Sequence, residues 1–99
     1  MGVLIVIAVP GDTAKFEAFV AANGARLMEI SESAKTAGCT SHRFAIGDGQ
    51  IVVVDHWDSA DHFQTFFSDP ALQALMGEMG AQGEPAVTIA NAKGFPGEF

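Results

Sequence analysis

His42, Asp55 and Trp57 are the residues whose types and spacing point to chemistry. They sit in two alternating runs separated by Gly47-Asp48-Gly49-Gln50. With Asp48-Gly49 as the loop, Gly47 faces Gln50, and His42 falls opposite Asp55, Phe44 opposite Val53, and Ile46 opposite Ile51. One face of the hairpin then carries His42, Phe44, Val53, Asp55 and Trp57, and the other Ser41, Arg43, Val52, Val54 and His56. A slip of one residue exchanges the faces and separates His42 from Asp55. An imidazole oriented by a carboxylate on an apolar face suits proton transfer, because histidine is the side chain that titrates nearest neutral pH. A phenolic ligand held there could lose its proton, and the electron-rich anion could react with oxygen without a cofactor. The expected roles are His42 as base, Asp55 as its orienter and Trp57 as a stacking wall. The plain alternative is a cross-strand contact worth about 0.2–1 kcal/mol.

The rest of the chain supplies elements to position that hairpin. Val3 to Val9 is an unbroken, largely β-branched run, the pattern of a central strand buried on both faces. Pro10-Gly11 turns the chain, and Asp12 or Thr13 can cap a helix. Phe16, Phe19, Val20, Leu27, Ile30 and Ala34 keep helical spacing from Ala14 to Thr36, predicting one long helix with a weak point, a kink or split, at Asn23-Gly24. Strands are expected over Cys39–Ile46 and Ile51–Trp57, with Asp48-Gly49 supplying the two positive-φ residues of a type I′ turn. Asp58 or Ser59 caps a second helix bearing Phe63, Phe66 and Phe67, and Asp69-Pro70 restarts it with proline where its missing N–H costs nothing. Leu72, Leu75, Met76 and Met79 form the stripe of that last segment, Pro85 to Ala92 reads as a fourth strand, and Lys93 to Phe99 as a tail. The order strand, helix, strand, strand, helix, strand predicts a single α+β ferredoxin-like βαββαβ domain over residues 1–99, a four-stranded antiparallel sheet with helices on one face. The bare sheet face needs a cover, and a second sheet is the simplest one.

Composition narrows the partners. The 99 residues are 48% hydrophobic and 17% charged, a globular balance. The net charge is −7, and the five Lys and Arg are scattered, which argues against nucleic acid and anionic membrane surfaces. A lone cysteine, Cys39, excludes an internal disulfide and a thiol metal cluster; a reducing cytoplasm is the natural compartment. The apolar start, Met1 to Pro10, reads as a buried strand and not as a signal peptide.

The stretch Asp55-His56-Trp57-Asp58-Ser59, continuing through Ser68-Asp69-Pro70 to Met76, resembles the antibiotic biosynthesis monooxygenase-like families of the dimeric α+β barrel superfamily. Trp57 at a strand end and the Ser68-Asp69-Pro70 break carry the likeness, which extends over nearly the whole chain. The resemblance implies a homodimer joined through the sheet face, with a small pocket between sheet and helices in each subunit. It also implies a range of activities, from cofactor-free quinone-forming oxygenation to haem degradation. The family often carries a histidine near Phe66, and the haem-degrading branch an Asn and a His at the places of Ile5 and Leu75, so haem is disfavoured and no cofactor is expected.

Ligand-lining residues are expected to be Trp57, His62, Phe63, Phe66 and Met76, although residues at this spacing also build plain core. His56, on the opposite face, is expected at the dimer seam, and Cys39 as an inert thiol. The expected function is binding or oxidation of a compact aromatic ligand without cofactor; the alternative is a non-enzymatic binding or dimerisation module. A cavity of several hundred Å³ reached by His42 separates the two.

Overall fold

The computed structural model describes residues 2–99. β1 (Val3–Pro10) is followed by α1 (Thr13–Ala22), α2 (Gly24–Ala37), β2 (Cys39–Gly47), β3 (Gln50–Trp57), α3 (Ala60–Phe67), α4 (Pro70–Glu78) and β4 (Ala86–Asn91). The strands form one antiparallel sheet in the order β2-β3-β1-β4. This is the α+β ferredoxin-like arrangement, with each of its two helical crossovers broken into a pair of helices. No helix among the described residues is long and apolar enough to cross a membrane.

The first crossover is two helices and not one. Asn23 lies between them at φ −128°, and its Nδ2 donates to the Phe19 carbonyl at 3.0 Å, competing with the helical ladder. Gly24 follows with no side chain to favour continuation. In the second crossover Ser59 Oγ accepts from the His62 N–H at 3.2 Å, and Asp69 Oδ1 accepts from the Ala71 N–H at 2.9 Å. Pro70 opens α4, as its position after Asp69 predicts.

The hairpin register is the one read from the sequence. Gly47 pairs with Gln50, Ile46 with Ile51, Phe44 with Val53 and His42 with Asp55. The turn differs from expectation: Gly49 sits at φ +64°, and no non-glycine among the described residues has positive φ, so Asp48 does not adopt a type I′ turn. The Gly49 carbonyl accepts from the Gly11 N–H at 2.9 Å, tying the turn to the end of β1.

β1 is central but covered on one face only. Val3, Ile5, Ile7 and Val9 are buried beneath the helices, while Leu4 on the open face is 42% exposed. The unbroken apolar run therefore reflects one helix-covered face and one bare face, where Leu4, Val6 and Ala8 pair with His56, Val54 and Val52.

Gly38 joins α2 to β2 at φ +124°, its carbonyl accepts from the Asp58 N–H at 2.9 Å, and a Cβ there would collide with the Asp58 carboxylate. Gly38→Ala is expected to lower stability by about 1–3 kcal/mol, seen as a lower urea midpoint with an unchanged slope.

Candidate functional site

The β2–β3 pairing places His42 beside Asp55, and the His42 Nδ1–H donates to Asp55 Oδ1 at 2.6 Å. That bond assigns the tautomer and leaves Nε2 as the nitrogen free to take a proton from a ligand. Trp57, two residues along the same face of β3, donates its indole Nε1–H to Asp55 Oδ2 at 3.1 Å. Asp55 is only 7% exposed, so both of its oxygens are held by donors where water has little access. The His42 side chain is 31% exposed and meets the Phe44 ring edge-on, with centroids 4.7 Å apart.

Trp57, expected as a stacking wall, is also packed into the core. It is 1% exposed and wedged among Phe63 and Phe66, with ring centroids 5.7 and 5.4 Å away. Its clearest polar contact is the bond that fixes Asp55. The signal was in the sequence, since positions 55 and 57 of a strand share a face.

The core beneath the helices divides in two. One cluster holds Val3, Ile5, Ile7, Cys39, Trp57 and Phe63, and the other Val9, Phe16, Ile51, Leu75 and Met79. Members of both line a cavity of about 110 Å³, into which His42, Asp55, Phe66 and Met76 also face. This is smaller than the several hundred Å³ expected; it is nearer the roughly 150 Å³ apolar cavity known to take up benzene. Among the described residues lining it, the polar side chains are Ser31, His42 and Asp55, together with the Trp57 indole. Ser31 was missed at the sequence level, although Leu27, Ile30, Ser31 and Ala34 share one helical face.

A scan against protein-family models finds no match, and a search of the curated proteins finds none either. Solved structures do match. ActVA-Orf6, a monooxygenase of Streptomyces coelicolor solved with nanaomycin D, superposes with TM-score 0.67 at 19% identity, over 95% of this chain and 89% of its own. SnoaB, a cofactor-independent oxygenase of Streptomyces nogalater, gives 0.63 at 16%, over 97% of both chains. A dimeric ferredoxin-like protein from an uncultured marine organism gives 0.64 at 11%, over 95% of this chain and 91% of its own. The fold is that of the antibiotic biosynthesis monooxygenase-like proteins. At these identities the likeness speaks to architecture, and chemistry has to be argued from the site.

Within this monooxygenase-like fold, three of the four helix residues expected at the ligand, Phe63, Phe66 and Met76, line the cavity. His62 does not. Its Nδ1 bonds to Asp58 Oδ1 at 2.8 Å with both side chains half exposed, and its backbone N–H bonds to the Ser59 cap. His62→Ala is expected to leave ligand affinity unchanged and stability within about 0.5 kcal/mol, by titration and by urea unfolding. Ile5 and Leu75, where the haem-degrading branch places its donors, are buried apolar side chains with no atom to bind iron or oxygen.

Burial, and then the nearby charge of Asp55, push the Cys39 thiol above its ordinary range; its Sγ lies 3.3 Å from the Ser41 carbonyl. Both effects favour the protonated thiol over the reactive thiolate. His56 lies on the open sheet face, its Nδ1 2.6 Å from Thr40 Oγ1. No group of three or more metal-ligating side chains occurs among the described residues.

Proposed function

We propose that this protein is a cofactor-independent, monooxygenase-like protein acting on a compact phenol bound in the cavity beneath its helices. The observation that carries the reading is the chain from Trp57 through Asp55 to His42, opening onto an otherwise apolar space. His42 Nε2 takes the phenolic proton, and Asp55 stabilises the imidazolium that forms. The phenolate, held against largely apolar walls, passes an electron to dioxygen, and the two radicals join at the ring carbon para to the oxygen. Loss of water from the resulting peroxide gives the quinone, so that one phenol and one O₂ yield one quinone and one H₂O. SnoaB and ActVA-Orf6 support the reading as oxygenases of the same fold, one of them cofactor-independent.

One observation favours the alternative, a binding module without chemistry. Where relatives often carry a histidine, α3 presents Phe66, and neither α3 nor α4 sends an acid or base into the cavity. Oxygen uptake with simple phenols, in buffer treated to remove metals, separates the two readings. Uptake that requires His42 supports the enzyme, and tight binding without uptake supports the module.

We also propose that one domain spanning residues 1–99 works as a homodimer through its open sheet face. Leu4 is 42% exposed on that face, with Val6, Val52 and Val54 only partly covered, and the marine protein of the same fold is described as dimeric. Val54→Arg places a charge at the centre of the seam. Sedimentation at micromolar concentration is expected to give a dimer for the parent and a folded monomer for the variant.

A further inference from the structure

The face that α2 turns toward the cavity is not uniformly apolar. Leu27, Ile30, Ser31 and Ala34 all line the space, and of the four only Ser31 carries a polar side chain. Serine forms helices less readily than alanine or leucine, and covering its hydroxyl without a partner costs free energy. A polar residue inside an apolar stripe breaks the local pattern, and such breaks concentrate at functional positions.

A hydroxyl in a helix interior commonly bonds back to the carbonyl four residues earlier. Two others on α2 do so. Ser33 Oγ donates to the Glu29 carbonyl at 3.2 Å, and Thr36 Oγ1 to the Glu32 carbonyl at 3.1 Å. The half-buried Ser31 makes no side-chain hydrogen bond among the described residues, and its Oγ is not sealed from access. A serine side chain is only two heavy atoms long, so this free hydroxyl, donor and acceptor both, stays within reach of what fills the cavity. The other polar groups of the space, His42 and Asp55, belong to the sheet, whereas Ser31 belongs to the helical layer. Between these two polar walls the lining is apolar, with Phe16, Val53, Phe63, Phe66 and Met76 among it. A few polar groups placed on otherwise apolar walls are what fix the orientation of a bound ligand.

We infer that Ser31 is a specificity-determining residue of this cavity, its hydroxyl bonding to an oxygen at the far end of a ring whose first oxygen lies at His42. The inference rests on the cavity being the ligand site of the proposed function. It deepens that reading, because the reaction installs its new oxygen on the carbon para to the first, at the opposite end of the ring. The ligand class is a single ring with oxygen at both ends, the class to which the quinone product belongs, and a monophenol substrate presents its unsubstituted para carbon toward Ser31.

Trp57 is the single tryptophan of the chain and lines the cavity, so its fluorescence reports occupancy. The probes are hydroquinone and 4-methylphenol, which have nearly the same shape and differ in whether the far end carries a hydroxyl or a methyl group. Both are titrated under nitrogen against the parent, Ser31→Ala and Ser33→Ala. Alanine suits a helix better than serine, so Ser31→Ala is expected to fold. It is expected to weaken hydroquinone about fivefold, the usual worth of one hydrogen bond, and to leave 4-methylphenol within about twofold. Ser33→Ala, on an exposed position of the same helix, is expected to change neither. An unchanged affinity ratio in Ser31→Ala, or an equal shift in Ser33→Ala, overturns the role of Ser31 while 4-methylphenol still occupies the cavity. No fluorescence change with either probe in the parent overturns both that role and the cavity as a ligand site.

Discussion

Replacing His42 with alanine is expected to lower kcat for a phenolic substrate by about 10²–10⁴-fold, the usual worth of a positioned general base. Phenol affinity should change by less than about threefold, because most of the ligand's contact is with apolar walls. The split between kcat and binding matters more than the size of the loss. His42 lines the cavity and gives Nδ1 to Asp55, so its removal takes away the proposed proton acceptor and leaves the Phe63, Phe66 and Met76 walls in place. Oxygen-electrode rates at saturating substrate, beside fluorescence titrations of the same variant, provide the measurement. Equal kcat in parent and variant would remove His42 from the chemistry, and a parallel collapse of binding would make it a structural contact.

Trp57 is where the largest stability effect is expected. Trp57→Ala should cost about 3–5 kcal/mol, as other deletions of fully buried large aromatics do. That is much of the total stability of a chain this size. Trp57→Phe keeps most of the ring but deletes the Nε1–H that holds Asp55 Oδ2 at 3.1 Å. Leaving a buried carboxylate oxygen without that donor should cost about 1–3 kcal/mol. The second variant tests the polar chain directly. With Oδ2 released, Asp55 no longer has a fixed orientation toward His42, so kcat is expected to fall with little change in Kd. A phenylalanine variant with parental urea midpoint and kcat would show that the indole serves packing alone.

The fold was largely legible in the sequence because its signals are local and redundant. Gly47-Asp48-Gly49-Gln50 between two alternating runs determines the pairing of His42 with Asp55, and that pairing is the observed one. The conformation of the turn was less legible. A contact distant in sequence, from the Gly11 N–H to the Gly49 carbonyl, acts on it, and no local rule carries that information. The split at Asn23 was visible as a weak point, but the extent of the break depends on a side chain bonding back to Phe19. β1 misled for a different reason. A β-branched run cannot tell burial beneath helices from burial against another chain, and here only the Val3, Ile5, Ile7 face is covered within the subunit.

At the site, strand periodicity is strict enough to bring His42, Asp55 and Trp57 together on one face. Helix periodicity is looser. It placed Phe63, Phe66 and Met76 at the cavity, but His62 is rotated one position from Phe63 and held outside by Asp58. The size of the cavity could not be read at all, since it depends on how two core clusters fail to meet.

The most direct measurement of the central claim is a crystal structure of the protein soaked with phenol. The account predicts one ring inside the cavity between the two core clusters, its oxygen within hydrogen-bond reach of His42 Nε2 and the His42–Asp55–Trp57 chain intact. A ring bound elsewhere, or an empty cavity with Phe66 and Met76 closed upon it, would contradict the account.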